Sequence, residues 1–176
     1  MPTSSSLSRR LRERQRLFGA WTSLGHPSIT EAFTAAPVDF IGVDLEHSTI
    51  SQEQAQRVIA ASQAGGVPCL ARVASHNGEQ IRRVLDSGAD GIILPTVTER
   101  KQVDQLARWA LYPPEGARGF GVARAQAYGP GFARYVSAWN RRAVLIAQIE
   151  SVDGVEAIED IAEHPGLSGV MVGPYD

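Results

Sequence analysis

The chain is 176 residues long, enough for one domain with a substantial core. Hydrophobic residues make up 43% and charged residues 20%, and the formal net charge of -2 argues against a nucleic-acid or polyanion partner. One cysteine, Cys69, excludes an internal disulfide and a cysteine-based zinc site and fits a reducing, cytoplasmic setting; no apolar run approaches the ~18 residues a membrane span needs.

Residues 1–16 are Arg- and Ser-rich and read as a short basic helix ahead of the first strand, with a disordered or transit-type leader as the alternative. "LFGAWTSL" (17–24) is the first apolar run and "FIGVDLEH" (40–47) the second. A helix follows over 51–66, opened by a Ser51/Gln54 capping box and closed by Gly65 and Gly66. "PCLARVA" (68–74) is the third run; the next helix, 77–88, repeats the cap with Asn77 and Gln80 and ends at Gly88. "GIILPTV" (91–97) precedes a helix that starts at Thr98 and is stopped by Pro113 and Pro114. "AVLIAQIE" (143–150), a helix from near Asp153 to before Pro165, and "GVMVGPYD" (169–176) complete the chain. The runs are continuously apolar rather than alternating, as in parallel strands buried on both faces.

Strands alternating with helices predict an α/β fold with a parallel sheet. A doubly wound open sheet and a (β/α)8 barrel compete. A barrel typically needs ~250 residues, so length alone favours the open sheet.

The ends of the strands carry the chemistry. The second ends in Asp44, Glu46 and His47, the third carries Arg72, the fifth carries Gln148 and Glu150, and the sixth ends in Asp176. In parallel α/β folds the C-terminal strand ends share one face, so these side chains converge. Each alone has a plain reading: Asp176 as a cap or loop residue, Arg72 as the partner of a buried acid, His47 as a core histidine. Together they describe a site. Glu150 and Asp176 are hard oxygen ligands suited to Mg2+, Mn2+ or a similar ion, with Gln148 beside them. Arg72 offers a fork for a substrate carboxylate, and His47 can move a proton near neutral pH. A metal, an arginine and a base make an enolisation site. Of 17 basic residues 16 are Arg; the one lysine, Lys101, lies in the first turn of a predicted amphipathic helix, which disfavours a Schiff-base mechanism.

"VDLEH", "ARV", "LDSGADGIILPTV", "YPPEGARGFG", "QIES" and "GPYD", in that order, resemble the HpcH/HpaI aldolase family of class II, metal-dependent pyruvate aldolases, from about Phe18 to Asp176. The resemblance implies a phosphoenolpyruvate/pyruvate-type TIM barrel of which residues 1–176 form a single domain of about six of the eight βα units, truncated at the C-terminus. It implies Glu150 and Asp176 as ligands of a divalent metal ion (Mg2+, Mn2+ or Co2+), Arg72 on the pyruvate carboxyl and carbonyl oxygens, and His47 as catalytic base. Asp44 and Asp86 fall on acids that support the arginine and the histidine. Backbone N–H groups from Gly173 to Asp176 would hold the carboxylate, and Tyr175, where the family often has Ala, would narrow the mouth. The implied reaction is retro-aldol cleavage of a 4-hydroxy-2-oxo acid to pyruvate and an aldehyde. Pyruvate, oxaloacetate or a 4-hydroxy-2-oxo acid is the expected partner, and a homo-oligomer is expected at full length; no nucleic acid or membrane is expected. Two alternatives stand beside it: a citrate-lyase-like acyl-CoA lyase, with Arg118, Arg124 and Arg134 in a loop as phosphate partners or simply a solvated surface, and a catalytically inactive truncated or structural subunit.

Overall fold

The computed structural model describes residues 4–175, with side chains from Leu7 onward. Six strands, β1 Gly19–Thr22, β2 Phe40–Asp44, β3 Cys69–Arg72, β4 Gly91–Leu94, β5 Val144–Ile149 and β6 Gly169–Val172, form one sheet in the order β1-β2-β3-β4-β5-β6. Every pairing is parallel. A doubly wound sheet reverses its order at a switch point; this one never does, and it curls into a half-barrel, so the open-sheet expectation from length is overturned. Among the described residues β1 pairs only with β2 and β6 only with β5.

The helices are α1 Ser4–Arg12, α2 Pro27–Thr34, α3 Gln52–Ala64, α4 Gly78–Asp86, α5 Arg100–Ala110, α6 Phe132–Arg142, α7 Val152–Glu156 and α8 Ile158–Ala162. The outward side chains of the strands, among them Val43, Ala71, Ile92 and Leu145, pack against Val58, Ile81, Leu106 and Trp139 of the helices. The concave face holds a second, smaller cluster of Leu70, Ile93, Val144 and Ile146, with Phe40 and Met171 at its edges. Helix α1 plugs this face: Leu7 is 2% exposed and belongs to the inner cluster, with Leu11 packed beside it. Burying one such leucine contributes about 2 kcal/mol. Arg10 Nη1 ties the helix to Asp39 Oδ1 at 2.6 Å, and Asp39 Oδ2 accepts from the Phe18 N–H.

Period-2 alternation sets what stands above this inner layer. On β5 the face of Val144 and Ile146 continues with Gln148 and then Glu150; on β3 the face of Leu70 continues with Arg72. The apolar floor thus becomes a polar upper layer at the C-terminal ends of the strands.

Several local expectations change. Ser51 caps α3 with the full box, Ser51 Oγ accepting from Gln54 N and Gln54 Oε1 from Ser51 N. Asn77 caps α4 by accepting from Glu79 N and Gln80 N, but Gln80 Oε1 accepts from Ala74 N instead of turning back to the cap. The helix expected from Asp153 is two short ones, and its cap is Ser151, whose Oγ accepts from Gly154 N. Helices α2 and α6 lie where none was expected. Strand β6 is not covered on both faces: Val170 and Val172 are 40% and 65% exposed.

Candidate active site

Asp44 and Arg72 are direct cross-strand partners at the ends of β2 and β3. The pair is bidentate: Arg72 Nε donates to Asp44 Oδ1 at 3.1 Å and Nη2 to Oδ2 at 2.7 Å. Asp44 Oδ1 also accepts from the backbone N–H of Glu46 and His47, at 3.0 and 3.1 Å, which shapes the turn after β2. Burial alone would raise the Asp44 carboxyl; the Arg72 guanidinium and these two amides outweigh it and hold the group below the usual carboxylate range. Oδ1 accepts three bonds and Oδ2 the second arm of the fork, so Asp44 orients Arg72.

The other edge of the guanidinium faces inward. Nη1 reaches Gln148 Oε1 at 3.5 Å, a long contact. Trp21 on β1 stacks on Arg72, with the guanidinium carbon 5.1 Å from the ring centre. Its ring occupies the space over its cross-strand partner Gly42, where a Cβ would come within 2.3 Å of it. Glycine at position 42 is what admits the indole.

Glu150 follows β5. Its Oε1 accepts from both Thr96 N and Thr96 Oγ1, at 2.6 and 2.7 Å, and its Oε2 from Gln148 Nε2. Burial raises the Glu150 carboxyl, but the Thr96 and Gln148 donors and Arg72 prevail and lower it. Thr96 itself sits at φ 49°, in the left-handed region, which disfavours a β-branched residue by ~1–3 kcal/mol. Gly173 closes the far side: a Cβ there would lie 2.8 Å from Glu150 Oε2 and 3.3 Å from Gln148 Nε2. The Gly173 N–H is bonded to Ile149 O at 3.0 Å, and Pro174 has none, so a carboxylate cradle in this segment cannot draw on residues 173 and 174.

Glu46 completes a triangle of carboxylates with Asp44 and Glu150. Its Oε2 lies 3.2 Å from Arg72 Nε and 3.8 Å from His47 Nε2, yet it is buried without a hydrogen-bond partner. Burial pushes the Glu46 carboxyl up, against the pull of Arg72 and His47, with Glu150 and Asp44 adding to the rise. Three carboxylates thus face one guanidinium.

Of that donor set, oxygens of Glu46 and Glu150 are of the type a divalent cation takes. Glu46 Oε2 is without a hydrogen-bond partner and Glu150 Oε2 accepts from Gln148 Nε2, both hard oxygen atoms in a locally negative site. Among the described residues no group of three His, Cys, Asp or Glu is spaced to hold a metal, and Asp176, the second expected ligand, lies outside them.

The remaining expected residues are more scattered. His47 stands at the rim with its side chain 69% exposed, and Tyr175 is fully exposed. Asp86 lies at the end of α4, in the outer helix layer; its Oδ1 accepts from Arg118 Nη2 at 2.7 Å, and among the described residues neither His47 nor Arg72 is its bonding partner. Arg118 is not in a solvated loop: it is 2% exposed, with Tyr112, Tyr135 and Trp139 4.8, 5.5 and 4.9 Å from its guanidinium carbon. Arg124 donates to Gln63 Oε1 and Ser87 O, and Arg134 lies on α6. The basic loop weighed as a phosphate patch is therefore dispersed. A cavity of about 840 Å3 is lined by Arg108, Arg141 and His164. It opens at the N-terminal ends of the strands, the end of a barrel associated with stability and not chemistry.

Trp21, Thr96 and His76 were not among the expected site residues, and Glu46, read as one of the converging strand-end polar groups, had been given no role of its own. Trp21 and Thr96 belong to runs read as nearly continuous in apolar character, and His76 to a loop. His76 Nε2 lies 2.6 Å from the carbonyl oxygen of Pro95, one residue before Thr96.

Residues 17–176 match the HpcH/HpaI aldolase/citrate lyase family. A 4-hydroxy-2-oxovalerate aldolase of Novosphingobium aromaticivorans is 35% identical over 174 residues, 98% of this chain and 66% of that protein. A hydroxypyruvate/pyruvate aldolase of Paraburkholderia phytofirmans is 34% identical over 180 residues, 98% of this chain and 69% of that protein. A crystal structure of an HpcH/HpaI aldolase/citrate lyase family protein from Burkholderia cenocepacia superimposes with a TM-score of 0.89 at 32% identity, covering 97% of this chain and 69% of that one. The chain spans about two thirds of the length of these relatives. Since the matched stretch contains all six strands and every polar side chain at their C-terminal ends, the resemblance and the architecture converge: this chain belongs to the HpcH/HpaI aldolase/citrate lyase family.

Proposed function

We propose that the chain carries the pyruvate-handling site of a metal-dependent carbon–carbon lyase, which cleaves a 4-hydroxy-2-oxo acid to pyruvate and an aldehyde. One observation carries the reading. The Arg72 guanidinium is locked by Asp44 along one edge and presents its other edge, beside Glu150, to the concave end of the sheet. A fork held that way binds a planar 2-oxo carboxylate without reorganising.

In this reading Arg72 takes the substrate carboxylate and the 2-oxo oxygen, with Trp21 holding the guanidinium plane. Glu150 and Asp176 are the proposed ligands of a Mg2+, Mn2+ or Co2+ ion, with Gln148 and Tyr175 beside the substrate. When bound, the ion supplies Lewis-acid polarisation of the 2-oxo group. His47 Nε2 accepts the proton of the 4-hydroxyl as the C3–C4 bond breaks, and the electron pair passes to the enolate of pyruvate. Arg72 stabilises the negative charge that appears on the enolate oxygen. Glu46, 3.8 Å from His47 Nε2, stabilises the imidazolium that forms. His47 then returns the proton to C3, and pyruvate is complete.

The reaction class is tested without knowledge of the aldehyde. Pyruvate in D2O with the protein and Mn2+ should lose its methyl proton signal by NMR, and chelator should stop the loss. A metal-loaded protein that leaves the methyl group unexchanged would refute the reading in favour of an inactive subunit. The acyl-CoA alternative is disfavoured by the engagement of Arg118 and Arg124 inside the fold.

A further inference from the structure

A chain of hydrogen bonds runs onto Glu150 from a histidine that the proposed mechanism does not use. His76, in the loop after β3, sets Nε2 2.6 Å from the Pro95 carbonyl oxygen. A carbonyl oxygen only accepts, so Nε2 carries the proton. The Pro95 carbonyl and the Thr96 N–H belong to one peptide group, and that N–H donates to Glu150 Oε1 at 2.6 Å. His76 therefore pulls on one end of a peptide whose other end grips the carboxylate. Bonds linked through one peptide polarise each other. The Thr96 hydroxyl adds a second bond to the same oxygen, at 2.7 Å. The left-handed φ of Thr96, 49°, is the backbone conformation in which both donors meet Oε1. A β-branched residue stays there only where its surroundings over-determine it, and the clamps at the two ends of the peptide are such surroundings.

We propose that His76 and Thr96 are positioning residues for Glu150: they fix Oε1 and leave Oε2 turned toward Gln148 and the site. The inference rests on the role assigned to Glu150 above. It predicts that cation affinity depends on a histidine that never touches the cation.

The test is a Mn2+ titration followed by EPR, alongside thermal melts, on the full chain and its variants. His76→Leu and Thr96→Val should each weaken Mn2+ binding about 10-fold or more, the usual effect of losing an outer partner of a metal ligand. His76→Gln keeps an N–H donor and should recover most of the affinity. Thr96→Gly tolerates a positive φ and keeps the backbone donor, so it should stay folded and still bind Mn2+ more weakly for want of the hydroxyl. Parental affinity in folded His76→Leu or Thr96→Gly, with only the melting temperature changed, would overturn the proposal and leave a turn-stabilising role. Glu150→Gln separates the two readings: if it binds Mn2+ like the parent, the assignment of Glu150 fails and this inference with it. If it abolishes binding while His76→Leu does not, only the clamp fails.

Discussion

Replacing Arg72 by Lys keeps the charge and removes the fork. Arg72 serves Asp44 with Nε and Nη2 at 3.1 and 2.7 Å while Nη1 points into the site. A single ammonium nitrogen can satisfy Asp44 or reach substrate, and it does not stack flat on Trp21. If it stays with Asp44, one charge-assisted bond is lost on a carboxylate whose side chain is 4% exposed. That costs about 2 kcal/mol, and for a chain of this size it lowers the melting temperature by roughly 4–8 °C. The enolate then lacks a preorganised donor, which costs about 3–4 kcal/mol of transition-state stabilisation, or ~10²–10³ in rate. Methyl proton exchange of pyruvate in D2O measures the second effect and calorimetry the first. A folded Arg72→Lys protein that exchanges pyruvate near the parental rate would refute the reasoning, whatever its melting temperature.

Other outcomes follow from the same geometry. Asp44 titrates below its unfolded value of ~3.9, so its contribution to stability is present above about pH 4 and is lost as pH falls through the folded value. Asp44→Asn should flatten that acid limb of the melting curve, and an unchanged limb would show that the pairing with Arg72 is not its source. His47→Ala should abolish aldol cleavage and retain decarboxylation of oxaloacetate, which reaches the same enolate without removing a hydroxyl proton; equal loss of both activities would make His47 structural. Chelator should abolish pyruvate exchange while borohydride with pyruvate leaves it intact, since Lys101 lies on the exposed side of α5. Covalent trapping of pyruvate on Lys101 would sink the metal-dependent reading.

The strands were legible because Ile41, Ile92, Ile93, Leu145 and Ile146 make runs that only a two-sided burial explains. The polar strand ends were legible for the same reason, as interruptions in those runs. Helix α2 was missed because its cap is His26, whose Nδ1 accepts from Ser28 N, although Pro27 at the first helical position was an available signal. Helix α6 hid behind Gly129, Pro130 and Gly131; its buried residues Tyr135 and Trp139, four apart, mark the inward stripe. In the site, Asp44, Arg72, Gln148 and Glu150 could be read as strand-end polars. Thr96 and His76 could not, since their role depends on a positive φ and on a contact between two loops.

The strictly nearest-neighbour order of the sheet has a consequence for how the chain is made. Each strand finds its partner in the segment synthesised just before it, so the wall can grow by addition at one margin as the polypeptide leaves the ribosome. The longest wait falls between Leu94 and Val144. That crossover is about twice the next longest, which adds ~0.6 kcal/mol of closure entropy. Until α6 arrives, Arg118 has Tyr112 and Asp86 for company but neither Tyr135 nor Trp139. Docking of α6 on that guanidinium and the pairing of Val144 with Gly91 close the same crossover, and β5 then carries Gln148 and Glu150 up to Arg72.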